Sequence, residues 1–80
     1  MSAHKLVRMA NQIAIFFRTQ PEEAAAAAVA DHIKSFWSPV MRREIYAHLG
    51  AGGEGLEPLA RAGLEVLKAC DAGAYDGVTK

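Results

Sequence analysis

The stretch GAGGEG, Gly50 to Gly55, matches the pattern G-x-G-x-x-G letter for letter. In a dinucleotide-binding protein such glycines let the backbone turn tightly and approach a pyrophosphate. That chemistry needs a strand running into the loop and a helix leaving it with its amides aimed at the phosphates. It also needs an acidic residue about 20 positions further on. Asp71 and Asp76 stand at about that distance. The residues before Gly50, however, carry helical spacing, and a chain of 80 residues has no room for a βαβ unit. The glycines are therefore expected to close one helix, with Gly50 in the left-handed cap position, and to connect it to the next. No nucleotide site is assigned.

The other residues capable of chemistry are sparse. His4, His32 and His48 are the only histidines. His32 lies at the edge of one apolar helical face and His48 beside Ile45 and Leu49 on another, but no H-E-x-x-H pattern accompanies them. They are expected to be partly buried or interfacial and hydrogen-bonded to backbone. Cys70 is the single cysteine, which excludes an internal disulfide and any multi-cysteine metal or iron–sulfur site. It falls on the apolar side of its helix, and no activating neighbour is evident, so a buried structural role is expected. Arg42 and Arg43 follow a helix start and could serve a DNA-recognition helix. Zero net charge, from nine basic and nine acidic residues, and the adjacent Glu44 oppose that reading, because phosphate neutralisation dominates nucleic-acid affinity. An acidic groove on a protein partner suits them better.

Four helical segments must position these groups, and no strand is evident, so the fold class is all-α, a small bundle. The first segment runs from about residue 3 to 18, with Leu6, Val7, Met9, Ala10, Ile13, Ala14, Phe16 and Phe17 in one continuous arc. That arc covers about half the helical wheel, whereas burial against one core needs a stripe of only about 100°. Within "TQPEE", Thr19 or Gln20 can cap the second segment, residues 21–37, with Thr19 and Glu22 at capping-box spacing. Pro21 suits its first turn, and Glu22 and Glu23 complement its dipole. Its run Ala24 to Ala28 favours helix and admits close approach of another helix. Ser38 and Pro39 end it and start the third, residues 39–49. The fourth, residues 56–70, presents Leu56, Leu59, Ala60, Gly63, Val66 and Leu67 on one face, with Gly63 permitting close backbone contact. Residues 71–80 read as a flexible C-terminal tail.

The aromatic residues are the informative set. Phe16, Phe17, Phe36, Trp37 and Tyr46 gather near the ends of the first three helices. Phe36 and Trp37 are about 100° apart on the wheel, so one small core cannot easily take both. Trp, Tyr and Arg dominate protein–protein hot spots. An apolar arc wider than the core can cover marks a subunit rather than a free-standing monomer. The expected contact residues are Phe16, Phe17, Trp37, Met41, Arg42, Arg43 and Tyr46, with no catalytic, cofactor-binding or metal-ligating residue. No apolar run approaches the roughly 18 residues of a membrane span and no signal-peptide h-region is present, so a cytoplasmic location is expected.

Three stretches, "KLVRMANQIAIFF", "VADHIKSFWSPVMRREIYAHL" and "GGEGLEPLARAGLEVL", occur in that order. Together they resemble the delta subunit of molybdenum-containing, NAD-dependent formate dehydrogenases, over about Lys5 to Leu67. In that family an acidic residue usually stands where this chain has Ser38, and an arginine where it has Val40. Serine preserves the cap, whereas valine removes an ion-pairing group from the first turn of the third helix. The resemblance implies a cytoplasmic complex that oxidises formate and reduces NAD⁺. Its large alpha subunit would carry bis-molybdopterin guanine dinucleotide and iron–sulfur clusters, its beta subunit FMN and the NAD site, and its gamma subunit a further cluster. The delta chain would be a cofactor-free accessory piece that docks on the alpha subunit and supports assembly, stability or cofactor maturation. The alternative from the residues alone is a standalone helical regulator or DNA-binding protein.

Overall fold

Ser2 opens the chain's first helix: its hydroxyl oxygen accepts from the Lys5 amide at 3.3 Å, satisfying one of the free N–H groups of the first turn. The computed structural model describes residues 2–78, with side chains through Asp71. Four helices follow one another: α1 (Ala3–Phe17), α2 (Glu22–Phe36), α3 (Pro39–Gly50) and α4 (Pro58–Val78). The all-α expectation holds.

The junctions follow local chemistry, with corrections. Between α1 and α2 neither Thr19 nor Gln20 caps. Pro21 itself takes the N-cap position with extended ψ of 148°, and its carbonyl accepts the first helical bond from Ala25 at 2.8 Å. Proline has no hydroxyl to offer, so Glu22 and Glu23 are left to complement the positive helix end. Trp37 and Ser38 are both extended, as the residue before a proline must be, and they turn the chain into α3. Ser38 caps α3 as expected, its Oγ accepting from the Met41 amide at 3.2 Å.

The glycine loop closes α3 two residues later than its first glycine suggested. Gly50 is still helical, and Ala51 is the C-cap. The first residue with positive φ is Gly52, at 123°, followed by Gly53 at 64° and Gly55 at 89°. The Gly53 amide donates to the His48 carbonyl at 2.9 Å and the Gly52 amide to that of Leu49 at 3.1 Å, which is the bonding of a Schellman motif. α4 starts at Pro58, two residues beyond the expected Leu56, because Pro58 suits a first helical position and Glu57 supplies the carbonyl that accepts from Arg61. Its helical backbone is assigned to Val78, past the expected end near Cys70. Of the tail expected over residues 71–80, Asp71 is instead helical and half-buried, because its carboxylate bonds to α3, and residues 72–80 lie outside those whose side chains are described.

Leu6, Val29, Ile33, Ile45, Leu64 and Leu67 are the largest fully buried side chains and bring all four helices to one core. On α4 the buried stripe is Ala60, Gly63, Leu64 and Leu67, continued by Leu56 just ahead of the helix. Val66, expected on that face, is 42% exposed, and Leu64 takes the core position instead. Cys70 is likewise exposed rather than buried. Both corrections have one cause. The stripe is centred on the line of closest approach to α2, so residues a fraction of a turn away point to solvent.

That approach is set by Gly63. A Cβ built there would lie 2.5 Å from Val29 Cγ1 and 2.7 Å from its Cβ, with the Ala26 carbonyl oxygen 3.3 Å away. Ala25, Ala26 and Ala30 on the facing side are buried, and α2–α4 is the most extensive helix pair in the fold. Gly63→Ala should therefore lower stability by about 1–3 kcal/mol through overpacking. Gly50→Ala, with open space around it, should leave stability unchanged or raise it by up to about 1 kcal/mol through helix propensity. Urea denaturation of the two variants checks both signs.

Candidate partner interface

Packing α1 across α2 and α4, with a flank against α3, leaves part of its wide apolar arc uncovered. Leu6, Val7, Ala10 and Ala14 face the core. Met9, Ile13 and Phe17, a quarter-turn or less to one side, are half-buried, and Phe16 is 78% exposed. Across from them the last turn of α2 presents His32 and Phe36, the latter 72% exposed. Between these walls lie two contiguous depressions of about 280 and 530 Å³ that share Gln12, Ile13 and His32. Phe16 and Phe17 border one end, and Phe36, Trp37 and Met41 the other. The result is an apolar groove.

Aromatic rings organise it. Phe16 and Phe17 meet edge to face with centroids 5.1 Å apart, Phe17 and His32 lie at 6.2 Å, and His32 tilts against Phe36 at 4.6 Å. Such contacts hold the rings in fixed orientations and contribute about 0.5–1.5 kcal/mol per pair. They do not remove Phe16 and Phe36 from water. At about 25 cal/mol per Å² of apolar surface, two exposed phenyl rings are a substantial reserve of free energy for anything that covers them.

The seven expected contact residues separate into groups. Phe16 is exposed, Phe17 and Met41 are half-buried along the groove, and Arg43 is exposed on α3. Trp37 is only 6% exposed and packs in the core, showing the groove little more than its edge. Its neighbour Phe36 takes the outward direction, as their 100° separation requires. Val40, where an arginine was expected from the resemblance, is exposed and adds apolar surface at the start of α3.

Arg42 and Tyr46 are engaged within the chain. The Tyr46 hydroxyl donates to Asp71 Oδ2 at 2.6 Å, and Arg42 Nη1 lies 3.7 Å from Asp71 Oδ1. One carboxylate on α4 thus ties down two residues of α3, a role for Asp71 that sequence spacing alone does not reveal.

Two residues to which the sequence assigned no role, Asn11 and Arg61, are the clamps of the glycine loop. Asn11 on α1 donates from Nδ2 to the Gly55 carbonyl and accepts at Oδ1 from the Glu57 amide, both at 2.9 Å. Arg61 on α4 donates to the Gly52 and Gly53 carbonyls at 2.8 and 3.2 Å, with its guanidinium packed where a Gly53 side chain would be. His48 Nε2 lies 2.8 Å from the Glu54 carbonyl oxygen, the backbone role expected of it. With its carbonyls bonded to side chains of this chain, the loop serves as a helix connection. His32 and His48 do not meet, since one lines the aromatic groove and the other the pocket beside the loop. Among the described residues no cluster of three or more His, Cys, Asp or Glu could hold a metal, and no helix is long and apolar enough to cross a membrane.

Burial, and then the hydrogen bond to the Asp71 carboxylate, push the Tyr46 phenol well above its ordinary value of about 10. A group that holds its proton more tightly when folded contributes stability that is complete below its unfolded value and lost as pH rises beyond it. The stability advantage of wild type over Tyr46→Phe should therefore be about 1 kcal/mol and level from pH 7 to about 9, and shrink above pH 10. Denaturant titrations of the two proteins across that range measure it.

Residues 5–64 match the family model described as the NADH-dependant formate dehydrogenase delta subunit, FdsD. No curated protein and no solved structure gives a match. The matched span includes α1, α2, α3 and the first turns of α4, hence both walls of the groove and the clamped loop. The chain belongs to the delta-subunit family of NADH-dependent formate dehydrogenases.

Proposed function

We propose that this chain is a non-catalytic accessory subunit of a cytoplasmic NAD-dependent molybdenum formate dehydrogenase, and that it docks on the large alpha subunit through the α1–α2–α3 groove. The observation that carries the reading is the pair of exposed phenylalanines, Phe16 and Phe36, flanking an apolar trough in a chain that otherwise closes its core. Family membership supplies the complex, and the groove supplies a surface by which to join it. Aromatic anchors in such a trough fit the pattern of hot spots, in which a few large side chains contribute most of the binding energy.

On this reading formate oxidation and NAD⁺ reduction belong to other subunits. These carry the bis-molybdopterin guanine dinucleotide, the iron–sulfur clusters, the FMN and the NAD site, while this chain holds no cofactor. Its polar side chains are directed to its own backbone, as with Asn11, Arg61 and His48. What it contributes is apolar area and shape, in support of assembly, stability or cofactor maturation. The beta and gamma subunits are partners through the same complex, and neither nucleic acid nor a membrane is one.

The double substitution Phe16→Ala/Phe36→Ala should lower the affinity of the purified chain for the alpha subunit at least tenfold, corresponding to about 1.4 kcal/mol or more. Its far-UV circular dichroism should match wild type because neither ring belongs to the buried core, and its stability should fall only by the two lost ring pairs, about 1–3 kcal/mol. Trp37→Ala should instead destabilise the isolated chain by about 3–5 kcal/mol. Cells that lack the chain should yield less active complex, or complex with a lower molybdenum content. Full activity and molybdenum loading in its absence would overturn the accessory role.

A further inference from the structure

The groove has a charged end. Arg8 and Lys5 stand about one and two helical turns before Gln12 on α1. With Met9 they line a further depression of about 250 Å³ that shares Met9 and Gln12 with the aromatic trough. From Lys5 to Phe16 this continuous wall measures about 16 Å, or three turns of helix. No carboxylate lines any of the three depressions; their permanently charged residues are Lys5 and Arg8. Both are exposed, and among the described residues the one ion pair is Arg42 with Asp71, so neither cation has an acidic partner among them. Arg8 also borders the pocket beside the glycine loop, where Glu54 lies, yet the two form no ion pair.

An apolar trough about two turns long, from Met9 to Phe16, opening at one end onto two exposed cations, matches an amphipathic helix lying in a groove. We propose that the occupant is a helical segment of the alpha subunit with apolar residues at i, i+3 or i+4 and i+7, and with an Asp or Glu at the end that meets Lys5 and Arg8. This inference rests on the docking reading above and adds the chemistry of the docked segment. A second copy of this chain fits the groove poorly, because α1 contains Lys5 and Arg8 and no acidic residue. Pairing α1 with itself would set cations against cations in the parallel arrangement and leave both basic ends without a carboxylate in the antiparallel one. The aromatic trough supplies affinity, and the basic end fixes the direction of the bound helix and adds a salt-dependent component.

The test uses the assembled complex. Zero-length carbodiimide coupling should join Lys5 to an Asp or Glu of the alpha subunit. A photoreactive p-benzoylphenylalanine at position 16 should label the same segment about three turns away. Lys5→Glu/Arg8→Glu, at two exposed positions, should leave the fold intact, weaken association about tenfold at low salt and flatten its salt dependence. Phe16→Ala/Phe36→Ala should weaken association at every salt concentration. If the aromatic variant releases the chain while the charge-reversed variant keeps wild-type affinity and salt dependence, the acidic-ended helix is wrong and the docking reading stands. Photo-adducts joining two copies of this chain would overturn the proposed occupant. Undiminished binding by the aromatic variant would overturn the docking reading itself.

Discussion

The contact between Gly63 of α4 and Val29 of α2 sets the geometry of the molecule. With no Cβ at position 63, the α4 backbone meets a valine side chain at a distance no other residue could accept. The alanine run of α2 extends that closeness along the helix, with Ala25, Ala26 and Ala30 buried. Small residues bring backbones together, but each offers little apolar area. Val29 and Ile33 of α2 and Leu64 and Leu67 of α4 fill the space beside these small residues, and the outer helices supply the rest of the core volume. Leu6 and Val7 of α1 and Ile45 and Leu49 of α3 provide it, and Trp37 fills the corner where α2 turns into α3.

That division of labour explains the exposed aromatics. α1 covers the α2–α4 pair with a stripe of small and medium side chains, Leu6, Val7, Ala10 and Ala14. Its apolar arc is wider than that stripe, so Met9, Ile13 and Phe16 fall progressively outside the core. At the far wall the same steric limit acts on consecutive residues. Trp37 enters the core and Phe36 cannot, because a step of about 100° along the helix separates them. The groove follows from these two misfits and needs no separate element to build it.

Polar residues hold the frame in place. Asn11 and Arg61 reach from α1 and α4 to the backbone of the glycine loop, and Asp71 ties α4 to Tyr46 and Arg42 of α3. The Asn11 bonds and the Asp71 bond to Tyr46 join distant parts of the chain, such as the 44 positions between Asn11 and Gly55, whereas Arg61 ties the loop to the nearby start of α4. They fix the angle at which α1 and α3 lie on the central pair, and hence the width of the groove.

Four helices, the Ser38 cap of α3, the small-residue contact at Gly63 and the surplus apolar arc of α1 were all legible in the amino-acid sequence. Each depends on local propensity or on a 3.6-residue period, and both act within a few turns of one helix. The family was legible too, in the order of three short stretches between Lys5 and Leu67. The partners of Asn11, Arg61 and Asp71 were not, because a polar residue on a helix looks the same in sequence whether it meets water or a distant carbonyl. The preference for Leu64 over Val66, the exposure of Cys70 and the inward turn of Trp37 were equally hidden. They depend on where the line of closest approach between two helices falls, to within a fraction of a turn. Periodicity specifies that a helix has an apolar side; only packing against the other three decides which residues of that side reach the core and which remain free for a partner.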